Sequence, residues 1–96
     1  MRSAAALAGL VLAGCASDGA VPVHGVSPGH RCVANGTETF IGQTGTGETG
    51  AGILRATHAA ILRWAPIGTM LTMDYREDRV TVRLGPDRRV TAVTCG

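Results

Sequence analysis

Residues 69–84 of this chain read TMLTMDYREDRVTVRL, and the second half of that stretch decides the fold. Over residues 79–84, polar and apolar side chains alternate with the period of a half-buried β-strand. The alternation places three apolar side chains on one face of the strand: Val80, Val82 and Leu84. Gly, Pro and Asp at residues 85–87 predict a turn, and residues 89–94 are predicted to return as the last strand.

The chain before this stretch predicts a helix and one more strand. Thr44 or Thr46 can cap a helix whose first turn holds Glu48, where a negative charge is favourable against the helix dipole. The helix contains glycine at positions 47, 50 and 52, and each glycine costs roughly 1 kcal/mol there, so tertiary packing must hold the helix. Residues 61–65 read as a strand that Pro66 ends. The sequence therefore predicts an α+β domain, with one short helix packed on a small mixed sheet.

The front of the chain has the layout of an export signal that ends in a lipid-attachment site. Arg2 precedes an unbroken run of small and apolar residues, which ends in Leu-Ala-Gly-Cys at residues 12–15. This ending resembles the lipobox of bacterial lipoproteins, and the run is shorter than the about 20 apolar residues of a membrane-spanning helix. We expect residues 1–14 to be a lipoprotein signal peptide and Cys15 to carry the lipid. The alternative is an ordinary cleaved leader with an incidental Cys.

The remaining two cysteines lie at the two ends of the expected domain. Residues 15–31 carry Gly, Pro, Ser and His without apolar periodicity, which is typical of a flexible tether, so the domain is expected over residues 32–96. An exported chain meets an oxidising compartment, and a disulfide between Cys32 and Cys95 is the natural pairing. The alternative is a metal site that combines both cysteines with some of three histidines: His24, His30 and His58.

Composition excludes nucleic-acid binding. The sequence has 9 basic residues, all of them Arg, against 7 acidic ones. This near-neutral balance leaves no electrostatic footprint for nucleic acid. Phe40, Trp64 and Tyr75 are the only aromatic residues, which are too few for a base-stacking platform. We therefore expect no nucleic-acid partner.

Several features resemble catalytic or cofactor sites but lack the necessary context. Residues 45–50 match GxGxxG, yet residues 71–73 stand where a dinucleotide site needs an acidic residue. Glu77 and Asp78 are adjacent carboxylates, which we expect to point apart in a solvated turn. His58 has no serine or cysteine nucleophile assigned to it. The sequence therefore predicts neither an enzyme nor a bound cofactor.

Residues 66–80 closely resemble the binding loop and following strand of the potato inhibitor I family of serine protease inhibitors. They are more similar still to a bacterial and fungal branch of small exported inhibitors, the seventy-eighth family of the peptidase-inhibitor classification, of the elastase-inhibitor type. Those chains share a Gly-Gln pair, a DYR-x-DR core and a terminal Cys-Gly, found here at residues 42–43, 74–79 and 95–96. The resemblance covers residues 32–96 and implies a potato inhibitor I-like fold with an exposed protease-binding loop.

The resemblance also implies which residues meet the protease. The reactive-site loop has eight members: Thr69, Met70, Leu71, Thr72, Met73, Asp74, Tyr75 and Arg76. The scissile bond is Met73–Asp74, and Met73 enters the specificity pocket of the protease. Arg76 matches a further basic position of the loop.

Loop support is implied for the strand that follows. Arg79 is expected to bond the side chains that flank the scissile bond, with Thr72 and Asp74 as acceptors. Thr81 stands where the plant inhibitors have a second supporting Arg. Arg83 lies on the same strand face, a further step away, and is expected to contribute to loop support.

The expected function is lipid-anchored, substrate-like inhibition of serine endopeptidases of the elastase, chymotrypsin or subtilisin type. The lipid on Cys15 attaches the protein to a membrane, and Ala16 and Ser17 lack the Asp that commonly retains lipoproteins at the inner membrane. We therefore expect a monomer at the outer membrane of the cell envelope, with no metal or cofactor. The alternative is a structural or scaffolding envelope lipoprotein that has no inhibitory activity.

Overall fold

The computed structural model describes residues 25–96, so the predicted signal peptide, Cys15 and His24 lie outside the described residues. A short 3₁₀ helix at Thr37–Phe40 precedes the helix α1 at Gly47–Thr57. Three strands follow: β1 at Ile61–Ala65, β2 at Arg79–Leu84 and β3 at Val90–Cys95. This order confirms the α+β class, and β3 is shifted by one residue from the predicted strand. None of the helices within residues 25–96 has the length and apolar character needed to cross a membrane.

The helix α1 begins at a side-chain cap and is held by close packing at its glycines. Thr46 is the N-cap, and its hydroxyl accepts a hydrogen bond from the Thr49 backbone N–H at 3.2 Å. A Cβ at Gly50 would lie 2.9 Å from the Trp64 ring, and a Cβ at Gly52 would lie 3.0 Å from the Phe40 ring. Glycine therefore lets the helix approach its neighbours closely, and this packing offsets its low helix propensity.

The sheet is mixed, in the order β1-β2-β3, with β1 parallel and β3 antiparallel to β2. Val80 and Val82 are completely buried and pack with Ile53 of α1, as the alternation in β2 predicts. Burying each such side chain contributes about 1.5–3 kcal/mol. On the opposite face of β2, Arg79 and Thr81 are buried as well, whereas Arg83 is exposed. Polar side chains at that depth need hydrogen-bond partners, and these come from the connection between β1 and β2 and from Gly96.

A disulfide joins Cys32 to Cys95, as predicted, with the two Cα atoms 5.6 Å apart. It fixes the start of the predicted domain to the end of β3. Because the two sulfurs are bonded to each other, neither is available as the thiolate ligand of the alternative metal site. Within residues 25–96, no group of three or more His, Cys, Asp and Glu side chains is placed to hold a metal ion.

Part of the segment expected to be a flexible tether is held against the domain. The Asp78 N–H donates to the Gly25 carbonyl at 3.0 Å, and the Ser27 hydroxyl donates to the Asp78 carboxylate at 2.7 Å. Ser27 and His30 pair with each other in an isolated β-bridge, so residues 25–30 form a tight turn. Ordered structure therefore begins before residue 32. The contacts that order this turn join residues about fifty positions apart, which is why local composition did not indicate them.

Candidate functional site

Residues 66–78 connect β1 to β2, and residues 66–75 of this loop are mostly exposed. The loop begins with a turn, in which the Thr69 N–H donates to the Pro66 carbonyl at 3.0 Å. Met70 and Met73 are 93% and 97% exposed, and Tyr75 is 67% exposed. Several large apolar side chains held in water on one loop indicate a contact surface rather than a core.

Arg79 ties the C-terminal flank of Met73 to Gly96. Its Nη2 donates to the backbone carbonyl of Asp74 at 2.9 Å, and its Nε donates to the carbonyl of Gly96 at 3.0 Å. Its Nη1 also lies 3.8 Å from the Asp74 carboxylate oxygen Oδ2. Because Arg79 is only 8% exposed, its guanidinium is a fixed strut between the sheet and the loop. Hydrogen bonds that involve a charged group contribute about 1.5–3 kcal/mol each.

Arg63, which the sequence analysis did not single out, holds Thr72, the residue before Met73, to the sheet. It lies on β1 directly beside Thr81 of β2 in the parallel register. Its Nη1 donates to the Thr72 hydroxyl at 3.0 Å, and its Nε donates to the Thr81 hydroxyl at 3.2 Å. The Thr81 hydroxyl in turn donates to the Gly96 carbonyl at 3.0 Å. One network therefore joins both flanks of Met73 to the sheet and to Gly96.

This network differs from the expected loop support in two respects. The Thr72 hydroxyl accepts its hydrogen bond from Arg63, whereas Arg79 reaches the Asp74 side of the loop. Arg83 is exposed beside residues 66–69, and its guanidinium makes no hydrogen bond or ion pair within residues 25–96. The physical reason is distance along the strand, since each residue advances about 3.3 Å and Arg83 has passed beyond the scissile region. The second supporting arginine therefore comes from the neighbouring strand.

The expectation of a solvated turn at the adjacent carboxylates is wrong for Asp78. Asp78 is completely buried, and Arg76 donates to both of its carboxylate oxygens, from Nε at 3.0 Å and from Nη2 at 3.1 Å. The Arg76 guanidinium and the Ser27 hydroxyl hold the pKa of the Asp78 carboxyl below its ordinary value. Asp78 is therefore ionised at neutral pH. Because a buried charge is costly without its partners, the paired Asp78 carboxylate holds the base of the loop in one position.

Gly96 has a structural role that its place in a sequence motif did not reveal. Its carbonyl accepts hydrogen bonds from both Arg79 and Thr81. A Cβ at this position would lie 3.1 Å from the Tyr75 ring, so the ring rests on the glycine. The residue follows Cys95, whose disulfide holds it in place. Gly96 thus joins the loop support to the disulfide.

Comparison with known proteins agrees with this architecture. A family model described as the peptidase inhibitor I78 family matches residues 32–96, which include the loop, Arg63, Arg79 and both cysteines of the disulfide. No curated protein matches the chain in sequence. Among solved structures, the elastase inhibitor AFUEI in crystal form II matches with a TM-score of 0.50 and 22% identity, over 62% of this chain and 81% of that chain. At this identity the likeness is one of fold.

Proposed function

The chain belongs to the peptidase inhibitor I78 family and is an inhibitor rather than an enzyme, and from this premise we propose how it acts. It inhibits serine endopeptidases with elastase-, chymotrypsin- or subtilisin-like pockets by presenting residues 69–76 to their active-site clefts. An extended segment in such a cleft gains affinity from main-chain hydrogen bonds, and one side chain gives specificity. That side chain is Met73, and the bond offered for cleavage is Met73–Asp74.

One observation carries the proposal: both neighbours of Met73 are tied to the sheet, while Met73 itself stands in solvent. Arg63 bonds Thr72 and Arg79 bonds Asp74, and Met73 between them is 97% exposed. Immobilising a mobile side chain on binding costs about 0.5–1.5 kcal/mol, and a loop that is already fixed avoids much of this cost. The geometry therefore supports a loop preorganised for insertion of one apolar side chain.

The same ties account for inhibition by a segment that resembles a substrate. Attack of the protease serine on the Met73 carbonyl carbon breaks the bond to the Asp74 nitrogen and leaves an acyl-enzyme at Met73. Arg79 holds Asp74 through its carbonyl, so the new amine stays next to the acyl group instead of diffusing away. Attack of that amine on the acyl group re-forms the peptide bond and releases the serine. Because the Asp74 amine is held next to the acyl group and water is not, re-formation of the peptide bond is faster than hydrolysis of the acyl-enzyme.

Met73 determines which proteases to test. An unbranched, flexible apolar side chain fits the apolar pockets of chymotrypsin-, elastase- and subtilisin-like enzymes. It cannot pair with the carboxylate at the base of a trypsin-like pocket. The solved structure of similar fold is that of an elastase inhibitor, which makes elastase the first enzyme to assay.

Changing Met73→Arg tests the function and the position of the pocket residue together. We expect the wild-type protein to abolish elastase or subtilisin activity stoichiometrically and to leave trypsin active. The variant keeps an unbranched stem and adds a cation for the trypsin carboxylate, so it should inhibit trypsin and lose most of its effect on elastase. Residual protease activity is measured against increasing inhibitor for all enzymes.

Met70→Arg is the matched control, because Met70 lies in the same loop and is 93% exposed. It introduces the same charge and should keep the wild-type preference for elastase over trypsin. Circular dichroism establishes that both variants are folded. A wild-type protein that inhibits none of the enzymes would overturn the proposed function, whereas identical profiles for the two variants would remove only Met73 from the pocket.

We further propose that a lipid on Cys15 anchors the monomeric inhibitor at the outer membrane of the cell envelope. The Leu-Ala-Gly-Cys ending at residues 12–15 and the absence of Asp at positions 16 and 17 support this, and acyl chains contribute about 0.8 kcal/mol per buried methylene. A clickable fatty acid should label the wild-type protein in membranes separated by density. Cys15→Ser should abolish the label and release the protein into the soluble fraction. An unlabelled wild-type protein would exclude the anchor.

A further inference from the structure

We propose that residues 25–30, here called the positioning arm, hold the C-terminal end of the reactive loop in place through contacts with Arg76 and Asp78. The positioning arm precedes the region that the family model matches, which begins at residue 32. It was expected to belong to a flexible tether. The inference rests on the proposed inhibitory function and adds Gly25 and Ser27 to the residues that position the loop.

The first contact is made by the backbone of Gly25. Its carbonyl accepts a hydrogen bond from the Asp78 N–H at 3.0 Å. A Cβ built on Gly25 would lie 3.0 Å from the Arg76 Cα and 3.3 Å from its Cβ. Gly25 is buried and has a φ of 80°, a conformation that favours glycine. The arm is therefore packed against the backbone of the loop, at a position that leaves no room for a side chain.

The second contact is a chain of charged hydrogen bonds that begins at Ser27. The Ser27 hydroxyl donates to Oδ2 of Asp78 at 2.7 Å, and Nη2 of Arg76 donates to the same oxygen at 3.1 Å. Nε of Arg76 donates to the other carboxylate oxygen at 3.0 Å. The carboxylate, which has no exposed surface, thus holds the arm on one side and the loop on the other. Removing any donor would leave a buried charge less well satisfied.

Residues 76–79 are also held from the sheet and from within the loop, so the arm adds to contacts that already fix this segment. On the sheet side, the Asp78 carbonyl accepts from the N–H groups of Ala60 and Ile61 at 2.8 and 3.2 Å. Arg76 is the last residue of the loop, and its carbonyl accepts from the Arg79 N–H at 3.4 Å. Since Arg79 also bonds Asp74, a shift of Arg76 is transmitted towards the scissile bond. Displacements of this kind weaken preorganised contacts far more than they weaken the fold.

The test compares Gly25→Ala with Gly29→Ala in the full-length protein. The two glycines have nearly the same φ, 80° and 79°, so both substitutions place an alanine at a φ that favours glycine. Only the Cβ at position 25 meets Arg76, because a Cβ at position 29 has nothing within 4 Å. We expect Gly25→Ala to weaken protease inhibition by roughly tenfold and to speed cleavage of the loop, the scale expected for one lost charged hydrogen bond. Gly29→Ala should inhibit as the wild type does.

A second variant and a spectroscopic signal separate positioning from general stability. Ser27→Ala removes one donor to the buried Asp78 carboxylate, so it should lower the melting temperature by several degrees. Inhibition is therefore compared at a temperature where the variant is fully folded, and it should still be weaker than that of the wild type. The Nε–H resonance of Arg76 should be protected from solvent exchange in the wild type and in Gly29→Ala, and should lose that protection in Gly25→Ala and Ser27→Ala. If the wild type inhibits while all three variants inhibit equally well, the arm does not position the loop. Loss of inhibition in the wild type would instead count against the proposed function.

Discussion

Two arginines from adjacent strands divide the work of holding Met73 in place. Arg79 reaches a backbone carbonyl and is 8% exposed, whereas Arg63 is only half-buried and reaches a side-chain hydroxyl. A hydrogen bond at a buried position is less weakened by competing water than one at the surface. Arg79 therefore contributes more to the rigidity of the loop. It also lies on the side that must retain the new amine after cleavage.

The expected order of effects is Arg79→Ala, then Arg63→Ala, then no effect for Arg83→Ala. Arg79→Ala should speed hydrolysis of the Met73–Asp74 bond by roughly tenfold or more, since at least one charged hydrogen bond to the loop is lost. Arg63→Ala should speed it less. The measurement is the rate at which excess elastase cleaves each inhibitor, followed by mass spectrometry with circular dichroism as the check on folding.

Arg83→Ala is the matched control in this series, because it removes the same side chain from the same face of β2, and within residues 25–96 that side chain makes no hydrogen bond or ion pair to the loop. The resemblance puts the second supporting arginine at the position of Thr81, and from the sequence Arg83 is expected to contribute instead. In the structure it is Arg63 that bonds the loop, at Thr72. Faster cleavage of Arg83→Ala than of Arg63→Ala would contradict the network described above.

Arg63 could not be found from the sequence because its partners are remote along the chain. Thr72 and Thr81 lie nine and eighteen positions after it. Periodicity placed β1 and β2 correctly, but it does not give the register between two strands. The register sets Arg63 beside Thr81 and thereby under the loop. For Asp78 the missing information was similar in part: Arg76 is only two positions away, but the other donor, Ser27, lies 51 positions before it.

Among the elements, β2 shows where sequence reasoning succeeds and where it ends. Its alternation identified Val80, Val82 and Leu84 as one apolar face, and all three are buried. The same pattern gave no indication that Arg79 and Thr81, on the polar face, would be buried too. These two side chains are satisfied by hydrogen bonds to Asp74 and Gly96 and not by apolar packing. Their burial therefore cannot be detected from hydrophobic periodicity.

The helix α1 is the opposite case: its residues have a low propensity for helix, and tertiary packing stabilises it. Its glycines lower its intrinsic helix propensity. Two of them, Gly50 and Gly52, face the rings of Trp64 and Phe40, and a Cβ at either position would lie only 2.9–3.0 Å from the ring. The sequence indicated that packing must hold this helix, but it could not indicate which aromatic rings supply it.

At the scale of the whole domain, the two ends of the described chain and the reactive loop meet at one place. The Cys32 N–H donates to the Glu77 carbonyl at 2.8 Å, at the base of the loop. Cys95 is bonded to Cys32, and Gly96 after it accepts from Arg79 and Thr81. The disulfide therefore closes a covalent ring directly beneath the support of the loop. Its loss should affect both stability and inhibition.

The double substitution of Cys32 and Cys95 by Ser tests this connection. The disulfide spans 63 positions, and closing a loop of that length contributes about 4 kcal/mol by restricting the unfolded chain. For a domain of this size, that corresponds to a melting temperature lower by roughly 15–30 °C. At a temperature where the variant is still folded, its loop should also be cleaved faster than that of the wild type, because Gly96 is less firmly held. Reductant should reproduce both effects in the wild type and change neither property of the double variant. If reductant leaves the melting temperature of the wild type unchanged, the disulfide does not stabilise the domain, and if only stability falls while loop cleavage stays slow, Gly96 is held without it.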